Sequence, residues 1–338
     1  MTEYNSTEIN REKQIINLIK QICGSQTASL IGDDCAYLQS KNLLVSADAM
    51  IEGVHFLPNI KPYYLGWKIA AINISDIAAM GAQPEYLLLT ASLPEKIEIS
   101  WIEEFIKGLN DCCLEFNVTL IGGDLTRADK ICLSATILGS AWLELESAKY
   151  KTAHRFNAIA GQKILTTGSL GDSNIGLEIL QSAKENLNEI EMKSNFADLV
   201  LAHLKPYPQV NSARQLWQLI KPETALCLMD SSDGLLDCLQ QISEQSKVQM
   251  QVNLKQIPLS KELKQYMKLK DLNSAEIILN GGEDYQLIGT AFLKDELDLP
   301  EPWKIIGEVK AGSGIEIKDF EGNNLELKSL KKSFQHFN

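Results

Sequence analysis

The sequence has no excess of positive charge. Its 32 Lys and Arg stand against 44 Asp and Glu, a net charge of −12. This excludes the basic stripe that a nucleic-acid surface needs. It also makes the chain a poor field for an anionic ligand unless a cation comes with it. Histidine is scarce, with four residues and no two at helical ligand spacing. The seven cysteines, Cys23, Cys35, Cys112, Cys113, Cys132, Cys227 and Cys238, form no C-x-x-C pair. A zinc centre and a disulfide framework are therefore not expected, and reduced thiols in a cytoplasm are the simple reading. No apolar run approaches the roughly 18 residues of a membrane span. The polar start MTEYNSTEINREKQ has no apolar core of a secretory signal. Sequence repeats and low-complexity tracts are missing too.

What is present is an ordinary globular composition, 45% hydrophobic over 338 residues, enough for two domains with real cores. The apolar spacing predicts helices at 9–23, 63–84 and 100–116. It predicts strands at 42–48, 86–94, 118–124 and 131–139. Gly81 reads as the stop of the second helix and Pro84 as a breaker behind it. The polar, aperiodic stretch 143–162 places a boundary between domains 1–150 and 151–338. The second half repeats the style, with strands at 163–168, 225–230, 248–253, 286–292 and 314–320. Its helices are expected at 172–183, 195–204, 209–219 and 232–245, with a charged connector at 184–194. The fold class is α/β (α+β).

Acidic residues recur where a strand or glycine turn meets a loop. Asp34 follows Gly32-Asp33, Asp48 ends LLVSAD, Asp124 follows LIGG, and Asp230 ends ALCLMD with Asp233 opening the next helix. Asp76 sits on the apolar helix with Asn73 three residues earlier, so both face one way. Separate explanations exist for each: a turn residue, an N-cap, a core ion pair. A site for several divalent cations explains all together, because hard cations take carboxylate oxygens and bridge to phosphate. The adjacent pair Asp33-Asp34 is the sharpest case, since nothing basic follows it closely in the chain.

The common nucleotide motifs are absent. There is no G-x-x-x-x-G-K-[ST]: GDSNIG (171–176) has the glycine spacing, but Leu177-Glu178 replaces the Lys-Ser end. No G-x-G-x-x-G follows a strand and no H-R-D loop occurs. If the chain binds ATP, it does so through metal rather than a phosphate-cradling lysine.

The segments IGDDCA, VSADAMIEGVHF, NISDIAAMGAQP, LIGGDLTR, TTGSLGDSNIGL, HLKPYPQV, DSSDGL and NGGEDYQL occur in that order. Together the chain resembles the thiamine-monophosphate kinase family, from about residue 25 to the C-terminal SFQHF. The wider superfamily includes aminoimidazole ribonucleotide synthetase and selenophosphate synthetase. The resemblance implies two α/β domains of the aminoimidazole ribonucleotide synthetase-like fold, the N-terminal ones forming a shared β-barrel in a homodimer. It implies a cytoplasmic enzyme that uses ATP and several Mg²⁺ to phosphorylate thiamine monophosphate, and it leaves open whether K⁺ assists. It implies Asp34, Ser46, Ala47 (through its backbone), Asp48, Asp76, Asp124, Asp230 and Asp233 as metal ligands. Gly123, Arg155 and Ser232 would touch ATP, and His55, Glu283 and Phe334 would hold thiamine monophosphate. No residue would act as a nucleophile or base, because the substrate phosphate is already an anion, with a second pKa of about 6. Two departures stand out: Ala47 replaces a hydroxyl residue common in the family, and HRFNAIAGQ is a loose version of the stretch that carries Arg155. Another enzyme of the superfamily and a non-catalytic nucleotide- or metal-binding regulator are the alternative readings.

Overall fold

The computed structural model describes residues 11–143, 149, 151–182, 196–220, 224–293 and 299–327. Helices α1 (Arg11–Cys23) and α2 (Ser25–Leu30) precede a five-stranded sheet. Its strands are β1 (Ala36–Leu38), β2 (Leu43–Ile51), β3 (Gln83–Leu93), β4 (Thr119–Arg127) and β5 (Cys132–Ser140), in the order β1-β2-β5-β3-β4. Within this sheet only β3 and β4 pair in parallel. A parallel pair needs a crossover, and α4 (Ile99–Glu115) lies between them in the chain.

Helix α3 (Pro62–Ala79) links β2 to β3 and forms the rod at the centre of the molecule. Pro62 at its first turn fixes φ where the N–H would be unpaired anyway. Its sequence is apolar or small almost all round, which suits a helix packed on every side, and 14 of its 18 residues are buried. Two glycines bring α3 and α4 into backbone contact. A Cβ on Gly66 would stand 1.9 Å from the Phe105 carbonyl oxygen, and one on Gly108 would stand 1.8 Å from that of Tyr63. Gly81, at φ +62, closes the helix, and its carbonyl accepts the Trp217 indole N–H at 2.8 Å.

The second sheet runs β11-β8-β10-β6-β9-β7. Its strands are β6 (Lys163–Thr167), β7 (Cys227–Asp230), β8 (Gln249–Asn253), β9 (Leu287–Ala291), β10 (Trp303–Lys310) and β11 (Gly314–Lys318). Around it lie α5 (Asp172–Ser182), α6 (Ala197–Leu204), α7 (Val210–Leu219), α8 (Leu235–Ser246), α9 (Lys261–Lys270) and α10 (Ser274–Asn280). One apolar cluster runs from Leu44 and Ile137 through Ile69 and Ile74 to Leu165, Leu228 and Trp303. The two sheets therefore share a core around α3.

Several expectations change. Strand β10 is unannounced because Lys304, Gly307 and Glu308 break the alternation, yet Gly307 sits in a bulge where a Cβ would stand 2.1 Å from the Gln251 carbonyl oxygen. Pro84 is the second residue of β3 rather than a loop breaker, with a register shift beside it that tolerates a residue lacking an N–H. Asp233 does not open α8. Gly234, at φ +102, is the N-cap and Asp233 stands before it. The connector at 184–194 and the C-terminal SFQHF lie outside the described residues. Finally, β4 is exposed at all nine positions, with Leu125 at 76%. A long, apolar, uncovered edge strand is a template for pairing with another chain.

Candidate functional site

A cleft of about 900 Å³ opens between the two halves. Strand β2 contributes alternate residues to it. Leu44 and Met50 are buried, and Ser46 and Asp48 line the cleft on the same face. Ala47 points the other way and is exposed, not packed behind its neighbours, because no described residue covers it. Helix α3 supplies Asn73 and Asp76 on adjoining turns, and each fixes β2. Asn73 Oδ1 accepts the Asp48 N–H at 3.2 Å, while the Ser46 hydroxyl donates to Asp76 Oδ2 at 2.6 Å. The edge strand β7 ends on Asp230, whose Oδ2 accepts the Ser75 hydroxyl at 2.6 Å. Asp34 arrives from the loop before β1.

Three of these carboxylates, Asp34, Asp76 and Asp230, bring oxygens within 4.8 Å of one another. Burial raises all three, and in Asp34 the Arg155 guanidinium works against it. Asp230 is pushed up to about 8, by burial first and then by Asp34, while Asp76 is held well above its ordinary value by burial, Asp48 and Asp230. Asp48 is raised by burial and by Asp34. An all-oxygen set of crowded carboxylates fits a hard divalent cation and not zinc or copper, which favour nitrogen and sulfur.

The basic partner of the Asp33-Asp34 pair comes from 120 residues away. Asp34 takes a two-pronged contact from Arg155, Nε to Oδ2 at 3.0 Å and Nη2 to Oδ1 at 2.5 Å. Asp33 instead meets His154, Nδ1 to Oδ2 at 2.7 Å. His154 serves Asp33, while Arg155 binds Asp34 most closely and also reaches Asp33, its backbone N–H donating to Oδ1 at 3.5 Å. Arg155 Nη1 also donates to Gln241 Oε1 at 2.6 Å, which anchors the guanidinium to α8. Local sequence could not reveal this pairing, although the HR dipeptide mirrors DD.

At the other end of the cleft lie His55 and Glu283. His55 Nδ1 accepts the Ile51 N–H at 3.0 Å in the turn after β2. Glu283 sits at φ +62 in the GGEDY segment, and its N–H donates to the Ser232 carbonyl at 2.7 Å. Ser232 and Asp233 line the cleft as well. Sequence reasoning passed over Lys68, His203 and Asp284, which surround Glu283. The signal was present: a lysine inside a long apolar helix.

The structure does not bring Gly123 and Asp124 to this cleft. Across the sheet, Asp48 pairs with Ala135, Ala135 with Leu89, and Leu89 with Gly123. Gly123 is thus three strands from Asp48, about 14 Å at the usual strand spacing. Phe334 lies outside the described residues.

Residues 32–141 match the family model "AIR synthase related protein, N-terminal domain", and 160–319 match its C-terminal counterpart. A thiamine-monophosphate kinase of Aquifex aeolicus is 33% identical over 323 residues, covering 94% of this chain and 96% of its own. The Escherichia coli K12 enzyme of the same name is 35% identical, covering 91% of each. A solved structure, AaThiL complexed with AMPPCP and TMP, superposes with a TM-score of 0.81 at 30% identity, over 98% of this chain and all of that one. On these likenesses, and on two family models that together cover most of its length, the chain belongs to the thiamine-monophosphate kinase family of AIR synthase related proteins.

Proposed function

We propose that the protein transfers the γ-phosphoryl group of ATP directly to thiamine monophosphate, giving thiamine diphosphate and ADP. One observation carries this reading: three carboxylates from separate segments converge in a cleft that also holds Glu283 and His55. The acidic end suits a metal–phosphate complex and the other end suits a cationic ring. The nucleophile is an oxygen of the substrate monophosphate, already ionised at neutral pH, so no side chain has to remove a proton. The Ser46 hydroxyl does meet a carboxylate, Asp76, but that carboxylate sits among the crowded acids assigned to the cation, and the substrate supplies its own anion, which favours direct in-line transfer.

Asp34, Asp48, Asp76, Asp230 and Asp233 would hold Mg²⁺, with Ser46 steering Asp76 and the Ala47 carbonyl as a further oxygen. Bound Mg²⁺ neutralises and aligns the two phosphate groups, which is most of what phosphoryl transfer requires. Arg155 restrains Asp34 and is placed to share its spare donors with ATP, beside Ser232. Glu283 and His55 orient the thiamine end, and Phe334 is proposed to stack on its cationic thiazolium. A non-catalytic regulator would not need so complete a set of acidic ligands.

We further propose a cytoplasmic homodimer in which β4 pairs with a second copy to complete a shared barrel, the two domains being 1–150 and 151–338. Its nine exposed residues support this. The roles of Gly123 and Asp124 belong to that assembled dimer. The test offers γ-labelled ATP and Mg²⁺, with and without K⁺, together with thiamine, thiamine monophosphate or a purine-pathway substrate. Label should appear in thiamine diphosphate and never on protein. Consumption of free thiamine instead, or a kinetically competent labelled protein, would refute the reading.

A further inference from the structure

Lys68 is an anomaly that phosphoryl transfer leaves unexplained. Its side chain is only 4% exposed, on the most buried helix of the molecule. A buried ammonium is costly unless paired and hydrogen-bonded. Lys68 Nζ lies 3.0 Å from Glu283 Oε1 and 3.4 Å from His203 Nε2. His203 Nδ1 in turn faces Glu283 Oε2 at 3.4 Å and the Ser173 hydroxyl at 3.1 Å. Burial first, and then Lys68, hold the imidazole neutral, with its pKa near 3. Because an ammonium can only donate, Nε2 must accept from Lys68 and the ring proton sits on Nδ1. That proton lies nearest the Ser173 hydroxyl at 3.1 Å, with Glu283 Oε2 at 3.4 Å. One carboxylate oxygen is thus paired with an ammonium from the core side, and the other packs beside a neutral imidazole.

The backbone is fixed as tightly. Glu283 and Tyr285 both adopt positive φ, at 62° and 49°, with N–H groups bonded to the Ser232 and Ser231 carbonyls. Between them, Asp284 accepts the Gly171 and Ser173 N–H groups at 2.6 and 2.9 Å. A positive φ in a non-glycine residue costs energy that the surroundings must supply. This much structure around one carboxylate goes beyond what a solvated side chain needs. Burial raises the pKa of Glu283, but the Lys68 ammonium beside it outweighs burial and holds the carboxyl below its usual value.

We infer that Lys68 is a positioning residue for substrate recognition: with His203 it holds the Glu283 carboxylate ionised and aimed into the cleft, to receive the cationic, amino-bearing rings of thiamine monophosphate. The inference rests on the reading that Glu283 touches that substrate. It separates the cleft into two tasks. The aspartates serve phosphate and ATP, while the Lys68–His203 pair serves only the ring end.

Steady-state kinetics of Lys68→Met, His203→Asn, Glu283→Gln and the Lys68→Met/Glu283→Gln double variant test it, with melting curves to check folding. Lys68→Met should raise KM for thiamine monophosphate roughly tenfold or more, the scale of a lost charge-assisted hydrogen bond. KM for ATP should stay within about twofold, because ATP is bound elsewhere in the cleft. His203→Asn should shift the same constant in the same direction. The double variant should lose no more than Glu283→Gln alone, since Lys68 acts through that carboxylate. Equal rises in both KM values, or multiplying losses in the double variant, would overturn the inference. If Glu283→Gln itself leaves KM for thiamine monophosphate unchanged, the assignment of Glu283 to the substrate fails first, and that result is distinguishable from a failure of Lys68 alone.

Discussion

Asp230 ends β7 at 3% exposure, among Asp34, Asp76 and Asp48, with Ser75 as its hydrogen-bond donor. Burial and Asp34 lift its pKa from an ordinary 3.8 to about 8. The sign follows from linkage. A carboxyl that binds its proton more tightly when folded contributes stability below pH 3.8, and that stability is lost as pH rises toward about 8. The full difference is worth roughly 6 kcal/mol at 1.36 kcal/mol per decade. Relaxation and water entry into the open cleft cut this to a few kcal/mol. Asp230→Asn keeps an oxygen for Ser75 and presents an amide to the neighbouring carboxylates. Without divalent ions, the variant should match wild type near pH 4 and exceed it near pH 8, by several degrees in Tm at roughly 2 °C per kcal/mol. Mg²⁺ should raise the wild-type Tm at pH 8 by relieving the same repulsion, and should raise that of Asp230→Asn much less. Activity should fall by about 10² or more, as when other electrostatic stabilisers of a transition state are removed. The assay is thermal unfolding from pH 4 to 9 with chelator or Mg²⁺. A metal-free Asp230→Asn protein less stable than wild type at pH 8 would refute the claim that these carboxylates strain the fold for the sake of a cation.

Ala47→Thr should leave the Mg²⁺ dependence of the rate nearly unchanged, since this position is exposed on the face of β2 away from the cleft. Asp48→Asn should cost orders of magnitude, by the same comparison with lost electrostatic stabilisers, and Mg²⁺ titrations at saturating ATP separate the two. Leu125→Glu, at the most exposed apolar position of β4, should yield a monomer in sedimentation or light scattering, with reduced activity.

Asp34, Asp48 and Asp230 were legible in the sequence because each stands at a recognisable strand end or glycine turn, although the same signal at Asp124 marks a residue away from the cleft. Asn73 and Asp76 were readable from helical spacing alone. Long-range partnerships were not. Arg155 reaches Asp34 across 121 positions, and the Lys68–Glu283 contact joins two domains. Nothing local distinguishes a buried lysine from a solvated one until the surrounding residues Ile69, Ala70, Ala71 and Ile72 are weighed as a packed helix. Strand β10 escaped for another reason: a bulge glycine and two charged residues erase the period-two signal that betrays a strand. Pro84 and Asp233 were misread by one structural unit each, because punctuating residues mark a boundary without saying on which side of it they fall.

Helix α3 carries both Asp76 and Lys68, eight positions apart, or about 12 Å along the axis at 1.5 Å per residue. Gly66 and Gly108 lock its backbone against α4, so it cannot slide without a clash. The helix is therefore a ruler. On the proposed reading it sets the separation between the pole that would gather phosphate and the pole that would receive a ring, and a substrate would have to span that interval to satisfy both at once. Inserting one residue between the two positions would lengthen the gauge by only about 1.5 Å, but would also turn one pole about 100° relative to the other.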